Sequence, residues 1–164
     1  MKGYFAVGVE GVSKPMNLGN LVRIAHAFDA SFFFSVAPRL NLAKANSDTS
    51  NAEGVLPFYS YDHPSDFRLP LGCRLVGVEI TDDAVELPRF RHPNRAAYVF
   101  GAERYSLSPQ MLSLCEFVVK IPTRFSIVCD DTLPALDMLF IKAAPCDESG
   151  PSSRRGKHPC HDKA

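Results

Sequence analysis

The stretch Lys14-Pro15-Met16-Asn17-Leu18-Gly19-Asn20-Leu21-Val22-Arg23 follows an apolar run, Tyr4 to Val9, and opens a periodic segment. Pro15 has no N–H for a strand ladder, so the strand must end before it. Asn17 is a favoured N-cap, able to accept a backbone N–H through its side chain. From Leu18 the apolar residues return at Leu21, Val22, Ala25 and Phe28. That is the spacing of a helix with one buried stripe, and it predicts a helix from about Leu18 to Asp29. Asn17, Asn20 and Arg23 stand three apart and share another side of it. Two amides and a guanidinium near a helix start suit a phosphate or other polar ligand. Taken singly, Asn17 also reads as a plain cap and Arg23 as a solvated arginine.

Outward from this stretch, apolar runs alternate with polar or helical ones. Ser31 to Val36 reads as an aromatic strand bounded by Pro38. Phe32-Phe33-Phe34 within it reads as core. Asn41 to Ser50 is polar with room for one short helix, and a brief strand is expected from Val55 to Tyr59. Leu75 to Ile80 is a clear strand ending at the turn Thr81-Asp82-Asp83. Ala96 to Phe100 runs directly into Gly101-Ala102-Glu103-Arg104. Ser108-Pro109 supplies an N-cap and first-turn proline for a helix through Leu114. Phe117 to Ile121 is a further strand, stopped by Pro122. Together these predict an α/β fold, a mostly parallel sheet with helices on both faces. Such sheets bind ligands beyond the carboxyl ends of their strands, where Asn17 to Arg23, Ile80 to Asp83 and Gly101 to Glu103 fall. No internal repeat is visible.

The chain has 164 residues, enough for one domain with a real core and short for two. With 18 basic and 18 acidic residues its formal net charge is zero, so a nucleic acid must be met by a local patch. Basic residues cluster at Arg89, Arg91, His92 and Arg95, and again at Arg154, Arg155, Lys157 and Lys163. Five cysteines, an odd number, fit reduced thiols better than a disulfide framework. No run approaches the roughly 20 apolar residues that span a bilayer, and the start lacks a secretory pattern. A cytoplasmic protein without a membrane partner is expected. Cys146, His158, Cys160 and His161 match no standard zinc spacing, so no metal is expected.

Asn17, Gly19, Asn20 and Arg23, followed by Ala25 and Phe28, resemble the first motif of the SpoU (TrmH-type) RNA methyltransferases of the SPOUT superfamily. Phe100-Gly101-Ala102-Glu103-Arg104, Leu107-Ser108 and Val119-Lys120-Ile121-Pro122 resemble their second motif. The resemblance covers residues 3 to 127. It implies a SPOUT-like sheet with a C-terminal trefoil knot, a homodimer, and S-adenosylmethionine as cofactor for methylating ribose 2′-hydroxyls of tRNA or rRNA. Carried over position by position, Arg23 is implied as catalytic, with Asn17 and Glu103 beside it. Ile80, Gly101, Ile121 and Ser126 mark the loops implied to hold the cofactor. Asn20, Arg39, Lys44 and Arg91 are expected to meet RNA. A guanidinium keeps its proton to above about pH 12, so Arg23 reads as an orienting and charge-stabilising group rather than a simple base.

The family's third motif opens a final helix with Ser-x-Asn. Here Ser126-Ile127 fit, Val128 replaces the asparagine, and Cys129-Asp130-Asp131-Thr132-Leu133-Pro134 replaces the helix-forming stretch. An altered reading frame near codon 127 would leave such a junction, and resequencing tests for it. The chain therefore divides into a methyltransferase domain (1–127), a divergent segment with room for one short helix (128–144) and a disordered tail (145–164). The altered motif keeps a second reading open, a SPOUT-fold RNA-binding or dimerisation module with impaired catalysis. A dinucleotide-binding domain is excluded, because no Gly-x-Gly-x-x-Gly turn follows the first strand.

Overall fold

In a computed structural model, residues 3–40, 56–102 and 106–122 are described. The apolar runs form seven strands: β1 (Tyr4–Glu10), β2 (Phe33–Val36), β3 (Phe58–Tyr61), β4 (Arg74–Val78), β5 (Val85–Glu86), β6 (Arg95–Phe100) and β7 (Phe117–Lys120). They join one sheet in the order β3-β2-β1-β6-β4-β7-β5. Every pairing in it is parallel. A parallel sheet must be covered on both sides, and it is. Helix α1 (Pro15–Ala27) buries Leu18, Leu21, Val22 and Ala25 against Val7, Val9, Tyr98 and Phe100 on the first face. Helix α2 (Pro109–Leu114) and its lead-in bring Met111 and Leu107 against Leu75, Ala97 and Val99 on the second. The strands alternate between these clusters residue by residue, as period-two side chains require.

The helix stripe is the predicted one, but the boundaries of α1 differ. It starts at Pro15, with Lys14 at the N-cap and no side-chain cap bond, so Asn17 is not the cap. Proline is already set to a helical φ and its missing N–H costs nothing at the first position. Leu18 N–H donates to Lys14 O at 3.2 Å, which closes the first turn and starts the helix three residues ahead of the predicted Leu18. At the other end Asp29 takes φ 60° and terminates the helix. Asp29 N–H donates to His26 O and Ala30 N–H to Ala25 O, the paired bonds that end a helix on a left-handed residue.

Three strand expectations shift as well. β3 lies at Phe58–Tyr61, starting three residues and ending two residues later than predicted. β4 stops at Val78 because Ile80 N–H turns back to the Glu79 carboxylate at 2.9 Å and leaves the ladder. β5 was not foreseen, since two residues carry no periodicity; it pairs with Val119 and Lys120 of β7. The capped helix start at Ser108-Pro109 is as expected, with Ser108 Oγ accepting from Met111 N–H at 3.0 Å. The expected helix within 41–50, Val55, Lys44, Glu103, Arg104, Ser126, the altered third motif, the knot, the 128–144 segment, the tail and its cysteines and histidines lie outside the described residues.

Candidate functional site

Parallel strands deliver their exits to one edge, and neighbours in the sheet become neighbours there. Val9 and Val78 both pair with Phe100, so Glu10 and Glu79 flank Gly101 one rung beyond. At a strand spacing of about 4.8 Å the two backbones stand about 10 Å apart across β6. Val78 also pairs with Val119, which sets Ile80 level with Ile121. Three of the predicted loop residues, Ile80, Gly101 and Ile121, therefore leave three adjacent strands side by side. Ile80 is 69 % exposed, an apolar side chain standing open at this edge. Ile121 is half-buried against the first-face core. Lys120 Nζ donates to Thr81 O at 3.3 Å and ties the β7 exit to the β4 exit.

The loop after β6 is held by carboxylates. Glu10, only 8 % exposed, accepts Ser108 N–H at 2.8 Å and Ser108 Oγ–H at 2.6 Å. Glu79 accepts Leu107 N–H at 2.8 Å on one oxygen and Ile80 N–H at 2.9 Å on the other. Glu79 thus joins the β4 exit to the β6 exit. Neither glutamate was picked out from sequence. A signal was present, because Val-Gly-Val-Glu occurs at 7–10 and again at 76–79, a short repeat that corrects the expectation of none. Each copy closes a strand flanking β6, and alternation sends both glycines and both glutamates to the second face.

Asn17 is half-buried and Arg23 exposed, on the helix that leaves the β1 exit and descends the first face. Arg23 is eight residues beyond Pro15, about 12 Å along the axis. Its Nη2 donates to Asn20 Oδ1, one turn nearer the strand ends. Asn20 therefore presents its oxygen to Arg23. Arg39 follows β2, and its backbone N–H donates to Val12 O at 2.8 Å. A Cβ built on Gly11 (φ +71°) would lie 3.8 Å from Ala102 Cβ and 4.0 Å from Arg39 Nε. That places Arg39 at the shared edge of the β1 and β6 exits. Arg91 is not brought there. Its neighbours Phe90 and His92 pack on Phe117, which opens β7, and on Tyr98 in mid-β6.

Two thiols stand nearby on the second face. Cys115 Sγ donates to Met111 O at 3.3 Å, and burial with the Glu10 charge pushes its pKa up to about 11. Cys73 is raised by burial too, and both are free cysteines. Among the described residues no group of His, Cys, Asp or Glu is placed to hold a metal ion. No helix among them is long and apolar enough to cross a membrane.

An all-parallel α/β domain with its candidate ligand loops at adjacent carboxyl ends is the class this geometry defines. A family model described as the SpoU rRNA Methylase family matches residues 4–128, and the chain belongs to that family. The match ends at Val128, where the third motif departs. The fold is similar to that of the SpoU methyltransferase AviRb from Streptomyces viridochromogenes in complex with AdoMet. The identity there is 20 % and the TM-score 0.76, over 92 % of this chain and 63 % of that one. An AdoMet-bound rRNA methyltransferase from Sinorhizobium meliloti is 17 % identical with a TM-score of 0.75, over 87 % and 56 %. The A. aeolicus TrmH/SpoU tRNA modifying enzyme is 16 % identical with a TM-score of 0.70, over 88 % and 75 %. This chain thus spans about three fifths of the length of the first two. No curated protein sequence matches it.

Proposed function

We propose that the chain is an S-adenosylmethionine-dependent methyltransferase acting on the ribose 2′-hydroxyl of tRNA or rRNA. The observation that carries this is the placement of Ile80, Gly101 and Ile121 on three adjacent strand exits. The residues fit the cofactor. Gly101 brings backbone without a side chain, and Ile80 and Ile121 offer apolar walls. Backbone amides and carbonyls between such walls match an adenosine, whose ring faces are apolar and whose edges are polar. The loop beyond Ile121, with Ser126, would complete the binding set. When bound, the cofactor supplies a methyl group on a sulfonium, open to attack by an oxygen nucleophile.

Arg23 orients the nucleotide and stabilises negative charge developing on the ribose oxygen, a task suited to a fixed, forked donor. Asn20 holds that fork in one direction. Asn17, nearly one turn before Asn20 on the same helix, and Glu103, two residues after Gly101 in sequence, are the supporting residues. Arg39 and Lys44 meet RNA phosphates. The functional unit is a homodimer and the compartment the cytoplasm.

The second reading, an RNA-binding or dimerisation module with impaired catalysis, is favoured by one observation, Val128 in place of the family's asparagine. Calorimetric titration with S-adenosylmethionine, followed by methyl transfer to unmodified tRNA and rRNA, separates the two. Micromolar binding with transfer to a 2′-hydroxyl supports the enzyme. A folded protein that binds RNA but neither the cofactor nor its demethylated product leaves the module.

A further inference from the structure

The carboxylates at the two ends of the repeated tetrapeptide act on consecutive residues of one loop. Glu10 takes Ser108 through two bonds and Glu79 takes Leu107 through one, from opposite sides of β6. Gly77, two residues before Glu79, leaves room for this approach. A Cβ on Gly77 would lie 3.0 Å from Cys115 Sγ and 3.2 Å from Leu107 Cδ1. Ser108 Oγ passes the restraint on by accepting from Met111 N–H, which starts α2. Glu79 has a second function in the same geometry, since its other oxygen holds Ile80 N–H. One carboxylate thereby ties the start of the loop after β4 to Leu107, the lead-in of α2.

We propose that Glu10 and Glu79 are a paired positioning clamp, with Glu79 setting the separation of the two loops between which S-adenosylmethionine binds. The inference rests on the cofactor reading above and adds to it the residues that shape the pocket without touching the ligand. A carboxylate offers two acceptors to two N–H donors. Glutamine offers one oxygen and turns an NH2 toward the second donor, so it cannot hold both.

The test uses the full chain and its Glu79→Gln, Glu79→Asp and Glu116→Gln variants. Glu116 pairs with Arg74 at the opposite, amino end of β4 and serves as the charge-matched control. Amide hydrogen exchange of the free proteins should show faster exchange at Leu107 or Ile80 in Glu79→Gln; unchanged exchange at both overturns the clamp. Calorimetric titration with S-adenosylmethionine should show binding weakened about tenfold or more in Glu79→Gln. Glu79→Asp, with its charge kept and its reach shortened, should fall between Glu79→Gln and the parent. Glu116→Gln should bind as the parent does. A purely structural glutamate would lower the melting temperature and leave the affinity of the folded protein unchanged. If the parent binds and Glu79→Gln binds equally, the positioning role fails while the cofactor reading stands. If the folded parent does not bind, the cofactor reading itself fails and takes this role with it.

Discussion

Arg23 is exposed, yet its guanidinium is aimed by Asn20 one turn away. Replacing Arg23 with Ala should lower kcat for methyl transfer by about a hundredfold or more, the loss typical of a charge-stabilising donor, with cofactor affinity within about twofold. Asn20→Ala should cost about tenfold in kcat/KM, since the arginine remains but loses its aim. Single-turnover methyl transfer and cofactor titration measure both. Cys115 makes a prediction of different kind. Its thiol is pushed up to about 11 from an ordinary 9, so the folded state holds the proton more tightly than the unfolded chain. The stability this contributes is complete below about pH 9 and is lost as pH rises through 11. Cys115→Ala should reduce the alkaline fall in denaturant midpoint between those values, leaving a remnant from Cys73 and from the phenols of Tyr98 and Tyr4, all raised by burial. Arg23 and Asn20 were legible in sequence as a pair of positions on one helix side. That one holds the other was not, because spacing places Cα atoms and leaves rotamers open.

Among the elements, α2 shows how little of a short helix is its own. Six residues cannot sustain a helix in water, so its stability comes from the cap and from packing. Ser108 serves both as N-cap and as the partner of buried Glu10. Ser108→Ala should destabilise the protein by about 1–3 kcal/mol, removing the cap and one bond to the carboxylate. Ser108→Asp is the sharper experiment. Aspartate is as good a cap as serine on an isolated helix, but here it would set a second carboxylate against Glu10. It should therefore destabilise more than alanine, and urea unfolding of the two variants decides the order. The existence of α2, and its cap, could be read from Ser108-Pro109. The helix start of α1 could not, because Pro15 and Asn17 are both favourable start residues and only the bonded turn from Lys14 chooses between them. β5 was invisible for a simpler reason, being two residues that are a strand only because β7 lies beside them.

For the molecule as a whole, a net charge of zero leaves RNA affinity to local placement. Arg39 stands at the edge shared by the strand exits, whereas Arg91 lies on the return segment before β6. Binding to an unmodified tRNA transcript should weaken steeply with salt. Arg39→Ala should reduce the slope of log affinity against log salt by about 0.7–0.9, the amount of one phosphate contact. Arg91→Ala should leave that slope unchanged. Fluorescence anisotropy across a salt series reads both, and equal slopes for the parent and Arg39→Ala would remove Arg39 from the RNA surface.

What the sequence by itself determined is everything governed by neighbours along the chain. The apolar runs, the helical stripe of α1, the Ser-Pro start of α2 and the ordered motifs around Arg23 and Gly101 were all legible, because period and cap chemistry act over a few residues. Tertiary structure alone decided the strand order. From it follow the alignment of Ile80, Gly101 and Ile121 and the meeting of Glu10 with Ser108, 98 residues away. A glutamate at the end of a strand looks the same in sequence whether it faces water or a loop. Only when β6 inserts between β1 and β4 do the two Val-Gly-Val-Glu ends face one another, and a repeated tetrapeptide becomes a pair of jaws around one exit.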